Sequence, residues 1–566
     1  MKKCAALVLT SLVFAGWMRA ASPAMPTIPA TVFNITNYGA MGDGVQDNTT
    51  NIQNAIEAAS AAGGGVVEVP EGRFLSGPIT LRSSIHLQVD AGGTLQMLPF
   101  GKYPGGTTGA QTFIGCDDIH DLEISGPGTI DGQGAEWWAA FLSRTNSRLV
   151  RPMMLNLFSV NRLFIHDITF QNPPYHHCGL RGHGGNITIS NLTVETRSPS
   201  PNTDGLNFVG TNSIIENCHI SVGDDNIAMG STGPIYDLLV TNCVFGKGHG
   251  VSIGSGIVGI TNLTVANCSF TGTQSGIRIK CPMGRGGPVK DLNYVDLRMT
   301  NVNLPIVIYS YYNRVGTPRR VTPEDVLATN NILAVSAGTP VWRDITFSNV
   351  TAVDGHDIEG IIWGPTEMPV SNVTFVCVTN SAPGGFDFYN VRGVKIVDSQ
   401  FNLTPNDTFT LCNADVSISN SMAPNGPVYI SAARGSNALA LSSVTAFMRG
   451  NLSTINPLTL YGGVLSTEGD QVLSGSSVEN FVLGRAESKV LVGGNLTLNG
   501  RINLSAGSDF GPGTYDLFQY RGTLSGQPTV NAMLFAFLDG WAACQCSLDT
   551  NTVGKVKSVI KCVTVN

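Results

Sequence analysis

A short motif recurs through the middle of the chain at nearly fixed spacing, and that spacing restricts the fold more than any other feature. Asp167-Ile168-Thr169-Phe170, Asn191-Leu192-Thr193-Val194, Asn217-Cys218-His219-Ile220, Asn242-Cys243-Val244-Phe245 and Asn267-Cys268-Ser269-Phe270 share one pattern: Asn or Asp, apolar, variable, apolar. Their first residues are 24, 26, 25 and 25 positions apart, and later copies begin at Asn349, Asn372 and Asp398. Each copy reads as a short strand with two apolar residues on one face, entered through a residue suited to a turn. One such strand cannot bury its apolar face alone. Stacking successive coils about 4.8 Å apart pairs the strands in parallel and builds a continuous core, the solution of a β-solenoid. The same stacking predicts an interior column of Cys218, Cys243 and Cys268 and a ladder of Asn side chains at the turn.

Composition agrees with an all-β chain. Charged residues are 13%, against about 25% in ordinary proteins, while 66 residues are Gly and 42% are hydrophobic. That mixture suits short strands joined by many turns. A net charge of -7 argues against a nucleic-acid binder working by general phosphate attraction. Asp47 and Asn48 offer a helix start, and Ile52, Ala55, Ile56 and Ala59 recur at helical spacing until Gly63-Gly64-Gly65. This helix is expected to cover the open end of the solenoid, where strand edges would otherwise be unpaired. Residues 313–339 break the period and read as a loop insertion. Beyond about residue 410 the period fades, and a second β-rich region of unassigned role, 411–566, is expected.

Lys2 and Lys3, an apolar stretch from Ala5 to Ala15 and the small residues Ala20-Ala21-Ser22 have the layout of a secretory signal peptide over residues 1–21. No later segment approaches 18 uncharged apolar residues, so no membrane span is expected, and the chain is read as secreted. Loss of Cys4 with the leader would leave eleven of twelve cysteines. Export permits disulfides without requiring them, and Cys544, Cys546 and Cys562 are candidates for local pairing. Neither this group nor His176, His177, Cys178 and His183 has metal-finger spacing, so neither metal nor cofactor is expected.

The period also converts sequence distance into geometry. Asp224 and His249 are 25 residues apart, one coil; Asp204 precedes Asp224 and Asp225 by 20 and 21; Arg278 and Lys280 follow His249 by 29 and 31. Three carboxylates, a histidine and two cations are therefore expected on neighbouring coils. Residues 226–290 contain one acid, Asp237, against Lys247, Arg278, Lys280, Arg285 and Lys290, a local balance of +4. Cations at the end of a cleft with carboxylates at its centre suit an anionic ligand attacked by acid/base chemistry.

Asn202-Thr203-Asp204-Gly205, Gly223-Asp224-Asp225, Gly248-His249-Gly250-Val251-Ser252-Ile253-Gly254-Ser255 and Arg278-Ile279-Lys280 resemble the four signature motifs of the polygalacturonase family, glycoside hydrolase family 28, in order and spacing. The upstream run Tyr38-Gly39-Ala40, Asp43-Gly44 and Asp47 resembles the opening of that family. The resemblance covers about residues 30–410. It implies a right-handed parallel β-helix as the catalytic domain, 22–410, that hydrolyses α-1,4 bonds between galacturonic acid units of pectin with inversion; a monomer is expected.

By matching motifs, the resemblance implies that Asp224 is the general acid and that Asp204 and Asp225 activate water. His249 would help hold the acid's proton, Arg278 and Lys280 would bind the galacturonate carboxylate, and Asn202 would support the Asp204 side. Tyr312 resembles the family's substrate-contacting tyrosine, with Tyr311 as its neighbour. Mutual repulsion among three carboxylates should raise one pKa and leave a protonated acid near pH 5. Coil spacing of about 4.8 Å lies nearer the carboxyl separation usual for retention than for inversion, so inversion follows from the resemblance alone. Three other readings stay open: a rhamnogalacturonan or xylogalacturonan hydrolase on the same fold, a calcium-dependent pectate lyase with Arg278 as base, and a non-catalytic pectin-binding or adhesion solenoid.

Overall fold

A computed structural model describes residues 22–564 apart from 145–147, 313–317, 319–320, 329–331, 485, 508 and 533–540. The leader expected over residues 1–21 lies outside the described residues. These fall into two compact units: the first takes the described residues up to 316 with 336–341 and 352–354, and the second takes those of 317–335, 342–351 and 355–566. Among the described residues no helix is long and apolar enough to cross a membrane.

The first unit is a parallel β-helix. Helix α1 (Thr49–Ala61) buries Ile52, Ala55, Ile56 and Ala59 against Val32–Asn34 and Gly65–Val69, two strands that pair in parallel at the N-terminal end. The side chain of Asn48 does not cap the helix; it turns back to the backbone N–H and carbonyl of Met41. Asp47 takes the capping role instead, its Oδ1 accepting from the Thr49 N–H at 2.9 Å.

Six strands carry the candidate site: β1 (Cys178–Arg181), β2 (Leu206–Phe208), β3 (Ile227–Met229), β4 (Val251–Ile253), β5 (Ser275–Lys280) and β6 (Leu304–Tyr309). Each pairs in parallel with the next. Cys178, Leu206, Ile227, Val251, Ile277 and Ile306 are register partners along one row and are all buried. The next row, Gly179, Asn207, Ala228, Ser252 and Arg278, alternates to the outer face. Burying each large aliphatic member of the inner row contributes roughly 1.5–3 kcal/mol, and because every coil adds one, the core is continuous.

The repeat motif sits one turn away. Phe170, Val194, Ile220, Phe245, Phe270 and Met299 are register partners along a second buried row, with the Phe245 and Phe270 ring centres 4.8 Å apart. Asp167, Asn191, Asn217, Asn242 and Asn267 all have φ between 51° and 55°, the left-handed conformation that Asn and Asp tolerate best among residues with a Cβ. The strands begin at the third motif position, so the second residue is buried while still in the turn. Cys218, Cys243 and Cys268 form the expected interior column, each thiol donating to the carbonyl two residues earlier at 3.2–3.3 Å. At the turn, Asn191 Nδ2 donates to Asp167 Oδ1. A further ladder that the motif did not signal runs from Asn212 through Asn186 to Asn161.

In the second unit the strands keep stacking in parallel beyond residue 410. Phe386–Val397 pairs with Phe409–Ser419, followed by Ala438–Ser442, Leu458–Tyr461, Val478–Leu483, Arg501–Ala506 and Thr529–Ala532. The register partners Val416, Leu439, Leu458, Glu479, Ile502 and Val530 are spaced irregularly, which is why the period fades although the coils persist. Trp541–Asp549 and Lys555–Thr564 close the chain as an antiparallel pair. Cys544 and Cys562 are backbone register partners there; the side chains of Cys544, Cys546 and Cys562 lie outside the described residues.

Candidate functional site

The acids and His249 lie where coils enter strands β2 to β4, and the two cations meet them from further along β5. Asp204 stands two residues before β2, Asp224 and Asp225 just before β3, and His249 two residues before β4, while Arg278 and Lys280 lie on β5. Parallel stacking places the corresponding ends of adjacent strands side by side. The turns are tight: Gly250 has φ of 80°, and a Cβ there would lie 2.1 Å from the Ser275 carbonyl oxygen, so that position accepts only glycine.

Asp224 is held at both oxygens. His249 Nδ1 lies 2.9 Å from its Oδ1, and Asn202 Nδ2 donates to its Oδ2 at 3.3 Å. Asp225 is 5% exposed and is ringed by donors: Lys280 Nζ at 2.9 Å from Oδ2, Ser252 Oγ donating to Oδ1 at 2.8 Å, and Arg278 Nη1 at 3.9 Å. Asp204, 8% exposed, faces His176, whose Nδ1 lies 3.2 Å from its Oδ1. Tyr312 lies beside the cations, its ring centre 5.1 Å from Lys280 Nζ and 5.9 Å from the Arg278 guanidinium carbon. Tyr311 is 1% exposed and points inward, which separates the two neighbouring tyrosines.

The carboxyls differ in proton affinity. Burial, joined by the charges of Asp225 and Asp224, holds Asp204 above the ordinary carboxylate value, although His176 opposes this. Burial also pushes Asp224 up, but the His249 hydrogen bond and charge, with the Lys280 charge, outweigh it and leave Asp224 lowered to about 2. One carboxyl is thus raised, as expected from crowding, but it is Asp204 and not Asp224. At Asp224 the contributions of His249 and Lys280 outweigh burial, whereas at Asp204 burial outweighs that of His176.

Asp224, Asp225 and His249 present donor atoms within 4.8 Å of one another. Two carboxylates with an imidazole suit a divalent transition ion in type. The Lys280 ammonium already satisfies Asp225, and an ion there would compete with it. Of the five cations in the +4 stretch, Arg278 and Lys280 join the acids, whereas Lys247 and Arg285 are exposed and Lys290 pairs with Asp291.

Two contributors escaped the sequence reading. From sequence His176 stands only as a metal-ligand candidate, and Arg151, whose Nη2 donates to Asn202 Oδ1 at 2.7 Å, belongs to none of the motifs. The signal was present: Arg151 and His176 are 25 residues apart, one coil, and His176 precedes Asp204 by 28.

Comparison with known proteins places this geometry in a family. The model of glycosyl hydrolases family 28 matches residues 61–385, more than half of the chain. A polygalacturonase of Chamaecyparis obtusa is 31% identical over 297 residues, covering 50% of this chain and 57% of that protein. The chain therefore spans little more than half the length of that relative. A polygalacturonase of Nicotiana tabacum is 30% identical over 357 residues, covering 60% of this chain and 85% of that one. The solved polygalacturonase structure from Erwinia carotovora ssp. carotovora is 25% identical and covers 69% of this chain and 98% of its own, with a TM-score of 0.52. With the family model matched across the coils that carry all four motifs, the chain belongs to glycosyl hydrolases family 28.

Proposed function

We propose that this protein is a secreted glycoside hydrolase that cleaves α-1,4-galacturonosyl bonds of pectic galacturonan by general acid/base catalysis with inversion. The observation that carries the reading is the placement of an Asp224–His249 pair beside two further carboxylates, with Lys280 and Arg278 on the adjoining strand. Acid/base groups alone would fit any glycoside. The buried cations select a uronate, because a guanidinium can fork onto a carboxylate and an ammonium adds a point charge. The relatives compared above are polygalacturonases, which agrees with that selection.

In this reading Asp224 protonates the leaving glycosidic oxygen, and His249, whose Nδ1 lies 2.9 Å from its Oδ1, sits beside the acid and helps hold its proton. Asp204 and Asp225 orient and deprotonate the attacking water. Tyr312 packs against the sugar held at the cations, and Asn202 supports Asp224 and not the expected Asp204 side, its Nδ2 donating to Asp224 Oδ2. The low proton affinity of Asp224 in the free protein has a remedy in the substrate itself. A uronate carboxylate seated at Lys280 and Arg278 cancels positive charge that holds Asp224 down, so the acid gains proton affinity as substrate arrives.

The catalytic segment is proposed to be 22–410, with 411–566 carrying no part of this chemistry, and the working form to be a monomer. The deciding experiment is the time course of end groups from polygalacturonate in the presence of a chelator. New reducing ends without ultraviolet-absorbing unsaturated ends support hydrolysis. Unsaturated ends that vanish with chelator would establish a lyase, and binding without new ends would establish a non-catalytic solenoid. Faster cleavage of rhamnogalacturonan or xylogalacturonan than of polygalacturonate would reassign the substrate.

A further inference from the structure

Arg151 makes no contact with the three carboxylates in its own right, yet it is built into the site with unusual completeness. Its guanidinium carbon lies 3.9 Å from the ring centre of Phe141, on helix α2 (Ala135–Leu142), and 5.0 Å from that of Tyr175. Nη1 donates to the carbonyls of Pro174 at 3.3 Å and Pro201 at 2.6 Å, and Nη2 donates to Asn202 Oδ1 at 2.7 Å. The two rings and the two proline carbonyls fix the planar group, so it serves as a rigid reference for the Asn202 amide.

What it touches is an amide with two chemically different ends. Arginine carries donors and no acceptor, so only the oxygen of Asn202 can face it. The Asn202 NH2 group is then turned the other way, where it donates to Asp224 Oδ2. We propose that Arg151 is a positioning residue that fixes the Asn202 amide so that its donor end, and never its acceptor end, meets the Asp224 carboxylate. The proposal rests on the reading of Asp224 as the acid of a hydrolase.

The groups facing Asp224 set the consequence. The Asp204 charge favours its protonated form; His249, Lys280, the more distant Arg151 and the backbone N–H of Asp225, which donates to Oδ1 at 2.9 Å, favour its ionised form. Tyr175 also feels the Asp224 charge. Without Arg151 the amide is free to rotate and present Oδ1 to the carboxylate, replacing attraction with repulsion, and a positive charge is lost as well. Both changes tighten the proton on Asp224. Because an acid must be protonated to act, the alkaline limb of kcat/KM then moves to higher pH.

The test measures pH profiles of polygalacturonate cleavage for the parent, Arg151→Met, Arg151→Lys, Asn202→Ala and the double variant. The expected result is an alkaline limb raised by about 0.5 pH unit or more in Arg151→Met and in Asn202→Ala, little further shift in the double variant, and partial return in Arg151→Lys. An unmoved limb in Asn202→Ala or Arg151→Met, or shifts that add in the double variant, overturns the proposal. A raised KM with an unmoved limb in Arg151→Met overturns it in favour of direct substrate binding. Should Arg151→Met fail to fold, Asn202→Ala retains the bonds of Arg151 to the proline carbonyls and decides the question. A parent that makes no reducing ends refutes the hydrolase reading alone. In that case, carbodiimide labelling of Asp224 followed by peptide mapping across pH reads the same shift without turnover, and equal profiles for parent and variants overturn the Arg151 assignment.

Discussion

Lys280 Nζ lies 2.9 Å from Asp225 Oδ2, and both side chains are about nineteen-twentieths buried. Each charge makes the burial of the other tolerable, so the pair is part of the fold as well as of the proposed carboxylate seat. Lys280→Ala is expected to lower stability by about 3–5 kcal/mol, since it strands a buried charge, and to weaken binding of galacturonate oligomers more than of uncharged ones. Asp225→Asn/Lys280→Met should recover most of the stability without recovering activity. Urea denaturation and oligosaccharide titration check both statements, and a fully stable Lys280→Ala chain contradicts the first.

Asp224→Asn keeps the shape of the side chain and removes the transferable proton. The expected loss is at least about two orders of magnitude in kcat, the usual size of general acid catalysis, with a melting temperature near that of the parent. Near-normal turnover in a well-folded variant would remove Asp224 from the role of acid.

The charges around Asp224 separate two pH profiles. In the free protein His249 and Lys280 hold its proton affinity down; bound uronate cancels part of that positive charge. The alkaline limb of kcat, which reports the complex, should therefore lie at higher pH than that of kcat/KM, which reports the free enzyme. Identical limbs would show that the substrate carboxylate does not reach these cations.

Glu479, 1% exposed, has its carboxyl raised by burial to about 7 from an ordinary value of 4.5. An acid raised on folding binds its proton more tightly in the native state. Stability contributed by that proton is full below about pH 4.5 and is lost as pH rises towards about 7. Glu479→Gln should thus raise the melting temperature at pH 8 by about 2 °C or more and change it little at pH 4. The opposite ordering in calorimetry would show that Glu479 is stabilised in its ionised form.

Asn242, at φ of 55°, tests the repeat itself. Asn242→Val puts a β-branched residue in the left-handed region and should cost about 1–3 kcal/mol, whereas Asn242→Gly should cost less because glycine enters that region freely. Chemical denaturation distinguishes them, and equal costs would mean that the Asn side chain, and not its backbone angle, is what the turn requires.

Much of this protein was legible from its sequence because a solenoid turns one dimension into another. A fixed period of about 25 residues puts Asp224 beside His249 and stacks Cys218 on Cys243 and Cys268 without any knowledge of long-range packing. The same logic fails once the spacing becomes irregular, as between Leu439 and Leu458 or Ile502 and Val530. There the coils persist but no residue pattern repeats at fixed distance, and the C-terminal stacking was invisible.

The amino-acid sequence by itself determined the coil repeat, the Asn and Asp turns, the end helix and the set of acids and cations sharing neighbouring coils. Only the tertiary structure decided how those charges pair. It placed the Lys280 ammonium on Asp225, gave the raised proton affinity to Asp204, set Tyr312 beside the cations while burying Tyr311, and brought Arg151 to Asn202. Spacing specifies which coil a side chain sits on. Direction, burial and the distance to the nearest opposite charge depend on how each turn leaves its strand, and these set the proton affinities on which the proposed chemistry rests.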